Sequence, residues 1–462
     1  MLNAGAARAV VNPPLTIEQG VWGAKSHVTP SGIEADFFVT CLVLSDDEQT
    51  AVLIGLDLCT IPKERADHIR HEVASALKIT PVNVRVSVTH THAGPVLRAD
   101  HHAPNREAEL NYIDFLTEQC VSAAIQAASR SVPVSVQSGY GTCSIGKSRR
   151  QRLDDGLMVA GYNPDGANDP TVTAVGFRDG SGELIASIAH YAAHPTTLGY
   201  TNDLLSPDYP GVTRRVVEQM VGGTCVFLQG AAGNVGPGPG GFLSNIDVMR
   251  SIGTQLGCAT SQTLLESAEQ QFDVAYQKLV RSGADLGVWS RSRRPLSDIS
   301  LQVRSEMIAL PVRSYPAPDI AQQRADELFS RWEQLQQGGA PTENIRDARF
   351  RWRRATMELD MAKKFHGRTT YDVEIHVITI GDTALVGIPI EPFCEIGIEI
   401  RNRSPYPFTL FGGYTNGANG YLPTAEAAAI GGYEVDQMAF AHNSADLLTE
   451  EVVRVLKEMA AG

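Results

Sequence analysis

The sequence predicts an α/β fold in which mixed β-sheets are flanked by helices, with a helical insertion late in the chain. Three observations carry this. Short β-rich apolar runs alternate with amphipathic stretches across short connections, the texture of sheets layered with helices. Runs separated by a polar turn make antiparallel hairpins, which argues against a purely parallel doubly wound order. From about residue 262 to 365 the texture turns largely helical before strands resume.

The elements follow in order. Phe37 to Leu44 and Ala51 to Leu58, split by Ser45-Asp46-Asp47-Glu48, read as a hairpin. Residues 62–77 read as a helix with Pro62 near its first position, where a missing N–H is harmless. Residues 82–88 alternate valine with polar residues and predict a strand. Residues 107–128 are helical; 132–140, 172–177 and 184–191 are strands; 209–220 is a helix and 224–228 a short buried strand. The Gly/Pro-dense stretch 233–241 follows. Helices are expected over 246–272, 316–338 and 342–365. On the last, Arg346, Arg349 and Arg353 share one face, which reads as a solvated surface, with an anion or partner site as the alternative. Strands at 372–380 and 383–388, a helix from 392, a Gly/Asn-rich loop at 412–420 and a closing helix at 438–460 complete the chain. The expected division is an α/β unit of residues 1–261 and 366–462, interrupted by a helical block, 262–365, that serves as a lid or an oligomer contact.

Composition narrows the function. Of 462 residues, 43% are hydrophobic and 20% charged, a globular balance that excludes wholesale disorder. The formal charge of −13 argues against a nucleic-acid binder, which needs a basic footprint, and suits a small neutral or cationic substrate. The seven cysteines include no Cys-x-x-Cys pair and mostly sit in apolar runs, so they read as buried reduced thiols. Residues 1–14 lack the basic and apolar segments of a signal peptide, and no run of about 18 apolar residues could span a membrane. The expectation is a cytoplasmic protein without a membrane span, binding a small molecule and no nucleic acid, with self-association as the open partner question.

The sharpest chemical feature is Thr89-His90-Thr91-His92-Ala93-Gly94-Pro95. Side chains in a strand alternate with period two, so the face of Val82, Val84, Val86 and Val88 extends into His90 and His92. Gly94-Pro95 stops the strand there. A second feature is His190-Tyr191-Ala192-Ala193-His194-Pro195. Pro195 biases His194 away from helical backbone, so His194 at a strand end is the better ligand and His190 reads as structural. A third is Glu391, just past an apolar strand, where helix capping is the alternative. The loop 412–424 is dense in Gly and Asn, which permit unusual backbone angles and close approach. There is no phosphate-binding glycine loop and no Gly-x-Ser-x-Gly nucleophile elbow. Two separate histidine motifs and a glutamate at strand ends suit a catalytic zinc, which takes N and O ligands.

Seven motifs in order, THTHAGP (89–95), the Ser-Arg of IGKSRR (145–150), AHPTT (193–197), SPDYPG (206–211), FLQGAAGNVGP (227–237), PIEPF (389–393) and GYLPT with GGYE (420–424, 431–434), resemble the catalytic domain of the neutral, non-lysosomal ceramidases. The resemblance covers roughly 15–245 and 370–460; the block 262–365 shows no counterpart. It implies the ceramidase catalytic-domain fold and one Zn2+ held by His90, His194, Glu391 and Tyr421. It implies that His92 and Arg149 contact the substrate carbonyl, with Arg150 as the alternative register, and that Asp57 supports the ligands.

The sequence departs from that family in three ways. Gly236 stands where the ceramidases carry a Ser, no leader is evident, and the chain ends in a helix where they carry an immunoglobulin-like domain. These departures predict that ceramide is a poor substrate. The expected function is zinc-dependent hydrolysis of an amide or related acyl bond in a small substrate, with metal-activated water as nucleophile. Glu391, His92 and Asp208 are each open as the general base. A zinc-dependent lactonase or lyase acting on a polar metabolite and a non-catalytic metal-holding or partner-binding protein are the alternatives.

Overall fold

The computed structural model describes residues 1–25, 27–97, 105–238 and 241–461, so residues 239–240 of the Gly/Pro-dense stretch lie outside the described residues. Three sheets share one order of elements. In the first, strand Asn3–Val10 pairs antiparallel with Phe38–Ser45, and that with Thr50–Leu56. Helix Lys63–Leu77 then returns the chain to a parallel strand, Val84–Val88. The second sheet repeats this with Ser135–Thr142, Thr171–Arg178, Leu184–Tyr191, helix Asp208–Val221 and parallel strand Thr224–Gln229. The third does so with Leu301–Pro311, Thr370–Ile380, Thr383–Gly387, helix Cys394–Arg403 and parallel strand Phe408–Gly412. Each parallel strand is followed by a further helix, Arg106–Ser129, Ile246–Ala268 and Ser444–Ala461. A parallel pair needs a crossover of a dozen residues or more, which is why a helix occupies the same place in every unit.

The strands are apolar on both faces because both faces are covered. In Phe38–Ser45, Leu42 and Leu44 enter a core shared by all three sheets, where they meet Ile188 and Val226 of the second and Ile378 and Leu385 of the third. Val39, Cys41 and Val43 face the helices of their own unit. The outer faces of the other sheets pack likewise, Ala189 and Phe227 with Tyr209 and Met249, and Val377 and Val386 with Ile400 and Val452. Each fully buried Leu or Ile stabilises by about 1.5–3 kcal/mol, so this apolar packing is the main term joining the sheets. Among the described residues no helix is long and apolar enough to cross a membrane.

Polar groups lock the first sheet to the third. The polar face of Val84–Val88 is buried, not solvated. Arg85 donates to His376 Nδ1 at 3.1 Å and to the Leu385 carbonyl at 2.8 Å. Arg70 makes two hydrogen bonds to Glu374, at 3.1 and 3.0 Å, and Ser305 and Asn416 also donate to that carboxylate.

The expectation of a helical block over 262–365 needs correcting. Helices Pro318–Gln337 and Thr342–Phe365 are present, with Trp332 stacked on Trp352 at 5.0 Å. But residues 272–293 form a two-stranded ribbon, and Leu301–Pro311 is the edge strand of the third sheet. Neither strand pair carries a clean period-two signature, because the ribbon buries no face and the edge strand is largely half-exposed. The helix expected over 246–272 ends at Ala268 and the closing helix starts at Ser444. Residues 439 and 441 instead hydrogen-bond along the chain at 311–313. Strands Asn3–Val10, Gly146–Arg152 and Met158–Asn163 were not expected.

Replacing Glu374 by Ala leaves buried Arg70 with Asp67, at 3.3 Å, in place of its two-pronged partner. The expected cost is about 3–5 kcal/mol, read as a lowered urea midpoint. An unchanged midpoint would show the pair to be dispensable.

Candidate metal centre

Each sheet delivers one residue to a common point. His90 lies just past strand Val84–Val88, His194 just past Leu184–Tyr191 and Glu391 just past Thr383–Gly387. Tyr421 arrives on the short strand Tyr421–Leu422, which pairs with Glu391–Pro392. The valine face does not run on into the histidines as extended strand, because His90 has φ +67°, a left-handed conformation that costs a side-chain-bearing residue energy. The turn nevertheless brings His92 Nε2 to 3.2 Å from His90 Nε2. Asp57 anchors the start of this loop, accepting from Thr89 Oγ1, the Phe38 N–H and both terminal nitrogens of Arg214.

The donor set fits a divalent cation. His90 Nδ1 is 2.7 Å from the Cys59 carbonyl and His194 Nδ1 is 2.6 Å from the Ala232 carbonyl. A carbonyl only accepts, so each Nδ1 carries a hydrogen, and in the neutral ring each Nε2 presents a lone pair. Burial would lower the His90 pKa, but Cys59 and Glu391 outweigh it and raise it to about 10, so at His90 a divalent cation takes the place of the Nε2 proton. Those two Nε2 atoms lie 3.4 and 3.3 Å from Glu391 Oε2, which is buried and has no hydrogen-bond donor. Three acceptor atoms facing one another repel unless a cation sits among them. Tetrahedral metal–ligand bonds of about 2.0–2.1 Å place ligand atoms about 3.3 Å apart, the spacing seen here. Tyr421 Oη stands 3.5 Å from His194 Nε2, with the two rings stacked. Cys59, His90 and His92 form a second cluster of the right types, but it shares His90, whose Nδ1 is already engaged by the Cys59 carbonyl.

The flanking groups are held in defined charge states. Burial lowers the pKa of His92 well below the usual imidazole range, and the facing His90 and His194 add to it. Burial likewise pushes His194 down to about 3. Both rings are therefore neutral near pH 7. His92 Nδ1 is buried without a partner, and its ring rests on Trp22 at 5.0 Å. Arg149 is 4% exposed, donates to Glu434 at 2.9 Å and to Tyr421 Oη at 3.1 Å. Burial alone would lower its pKa, but Tyr421 and Glu434 outweigh that and keep it charged.

Arg150 takes the other oxygen of Glu434 at 2.9 Å and donates to the Gly431 carbonyl, so it braces the loop rather than reaching Tyr421. Adjacent strand residues ordinarily point to opposite faces. A register shift between Ser148 and Arg150 lets both arginines meet one carboxylate. Gly236 lies across from them, and a β-carbon there would touch only Arg149, at 3.5 Å and beyond.

Other expected residues fall elsewhere. His190 donates from Nε2 to the Phe411 carbonyl, 3.1 Å away, and so ties the second sheet to the third. Asp208, raised to about 6 by burial, accepts the N–H groups of Leu198 and Tyr209 and so secures a turn. Sequence reasoning missed Trp22, Glu434, Tyr414 and the two carbonyls that orient the histidines. Tyr414 packs its ring 4.2 Å from His90 and keeps a buried hydroxyl without a partner. Its place in the Gly/Asn-rich loop, at φ +59°, was the available signal. Helix Thr342–Phe365 also reaches this rim. Arg353 lies 3.5 Å from where a β-carbon of Gly23 would stand, and Arg354 pairs with Asp436 beneath the ring of Tyr433.

His90→Ala and His194→Ala should each lose bound divalent metal, measured by elemental analysis of the purified protein, with affinity lower by about tenfold or more. Full occupancy in both variants would overturn the ligand set.

Residues 14–241 match the family model described as neutral/alkaline non-lysosomal ceramidase, N-terminal. Over 378 residues, 76% of this chain, the sequence is 24% identical to the neutral ceramidase of Pseudomonas aeruginosa, and it spans 56% of that relative's length. A solved structure described as ceramidase complexed with C2 superposes with a TM-score of 0.68 at 17% identity, covering 98% of this chain and 74% of that one. The crystal structure of the Pseudomonas aeruginosa neutral ceramidase gives 0.67 at 21% identity, covering 98% and 73%. That coverage runs through the block 262–365, where the sequence showed no counterpart. Residues 14–241 thus resemble the N-terminal part of the neutral/alkaline non-lysosomal ceramidases, and the chain as a whole has the fold of the ceramidase structures.

Proposed function

We propose that this chain is a zinc-dependent hydrolase of an amide, or related acyl, bond in a small substrate. The observation that carries the reading is the convergence of two imidazole lone pairs and one carboxylate oxygen at 3.3–3.4 Å beside a buried, permanently charged arginine. Zinc suits N and O donors in a tetrahedral set, and when bound it would lower the pKa of a water and polarise a carbonyl. The relative's name, neutral ceramidase, supports an amide as the bond class.

The chain's own residues supply the remainder. His90, His194, Glu391 and Tyr421 hold the ion. Arg149 presents a planar fork whose far side is clamped by Glu434, so its free N–H groups are aimed before substrate arrives. Donors that need no reorganisation stabilise an oxyanion most. His92, neutral, turns Nε2 toward the centre and donates a hydrogen bond to the same oxygen in its Nε2–H tautomer. Trp22 covers that ring and keeps water from it. Gly236 supplies no hydroxyl beside Arg149, so no acyl-enzyme forms at that position.

The rim argues for short, polar substrates over long-chain ceramide. Arg353 beside Gly23, and the Arg354–Asp436 pair beside Tyr433, make this part of the rim polar.

Activity should vanish on chelation and return with zinc. Arg149→Ala should lower kcat and kcat/KM together by about 10²–10³ while metal content stays constant. A raised KM with unchanged kcat would reassign Arg149 to ground-state binding.

A panel of short N-acyl amides against long-chain ceramide tests the substrate reading. Turnover confined to ceramide would overturn the preference, and turnover of neither would overturn the hydrolase.

A further inference from the structure

The ribbon at 272–293 stands off the body of the chain. Strand Phe272–Ser282 pairs with Ala284–Arg293, and every residue from Asp273 to Ser282 is exposed. Its base is fastened by Arg291, which lies over the Phe272 ring at 3.7 Å and pairs with Glu269. A two-stranded ribbon without a covered face is marginally stable in water.

One of its exposed faces is largely apolar. The register sets Tyr276 opposite Trp289, Val274 opposite Arg291 and Leu279 opposite Gly287, with an irregularity at Tyr276/Lys278 that returns Leu279 to the same face. Val274, Tyr276, Leu279 and Trp289 are 62%, 53%, 52% and 62% exposed. The two aromatic rings meet edge to face at 5.8 Å, and the bare Gly287 lies beneath them. A contiguous apolar face of this kind marks a contact surface.

Charge and shape select the occupant. Between 272 and 294 five basic residues, Lys278, Arg281, Arg291, Arg293 and Arg294, stand against Asp273 and Asp285. The whole chain carries −13, so the rest of it is more acidic still. The ribbon therefore suits an acidic protein surface and repels another ribbon. Entry into lipid would need an apolar tip, but the tip is Ser282-Gly283-Ala284 closed by Arg281 and Asp285 at 3.6 Å. The apolar residues run along its length instead.

We propose that this ribbon is an arm through which two copies of the chain associate, the face of Tyr276 and Trp289 lying on the acidic body of the second copy. Twofold symmetry makes the exchange reciprocal, with two arms and two docking faces per dimer. Sedimentation velocity on the full chain should show a dimer at micromolar concentration whose dissociation constant rises with salt. Tyr276→Ser with Trp289→Ser should weaken it by about tenfold or more. Lys278→Glu with Arg281→Glu, which leaves the apolar face intact, should also weaken it. Circular dichroism and metal content should stay constant in both. A wild-type monomer across that range would overturn the proposal, as would a dimer indifferent to both variants. So would a monomer that binds phosphatidylserine vesicles and loses that binding with the same substitutions.

Discussion

Two imidazole nitrogens and one carboxylate oxygen point at each other across 3.3–3.4 Å. With Cys59 and Ala232 holding the Nδ1 hydrogens, the neutral rings have no hydrogen left to donate to Glu391. That convergence is unfavourable without a cation and favourable with one, so the centre has a charge requirement built into its tautomers. Much around it serves that arrangement. Asp57 and Arg214 pin the loop carrying His90, and Glu434 pins the arginine that borders Tyr421.

The fold explains why such a cluster can be assembled from distant parts of the chain. Three units of the same topology pack their inner faces into one core, and each ends in a parallel strand pair. Ligands bind beyond the carboxyl ends of parallel strands because the chain must leave the sheet there, freeing side chains and carbonyls alike. Here the three pairs deliver His90, His194 and Glu391, together with the carbonyls of Cys59 and Ala232 and the ring of Tyr414. The topology repeats while the sequence does not, since the same layering tolerates many apolar choices.

The block 262–365 has two faces to its role. Its helix Thr342–Phe365 touches the rim of the candidate metal centre through Arg353 and Arg354, whereas its ribbon projects away with residues 273–282 exposed and is held at its base by Arg291 on Glu269 and Arg293 against Gly182. Arg346, Arg349 and Arg353 share a helical stripe. Arg353 lies against Gly23, and Arg349 buries an Nε without a partner, while Arg346 is exposed.

By itself the sequence determined the elements whose burial leaves an apolar run or a period. The hairpin of Phe38–Ser45 and Thr50–Leu56, the strand Leu184–Tyr191 and the helix Thr342–Phe365 were legible to within a residue or two, because a continuous apolar run records a strand covered on both faces and a helical period records one covered side. It also determined residue types at strand ends, where His90, His92, His194 and Glu391 stood out against apolar runs. Tertiary structure alone decided the rest. The ribbon at 272–293 and the edge strand Leu301–Pro311 leave no periodic trace, since solvent faces most of their side chains. Trp22 and Glu434 join the site through contacts with residues far along the chain, at His92 and Arg149. The choice of Arg149 over Arg150 at Tyr421 rests on a register shift within one strand. The left-handed turn at His90 and the carbonyls that set the histidine tautomers arise only once three sheets close around a common core. Local sequence encodes which face is buried; it does not encode which distant atom the buried face will meet.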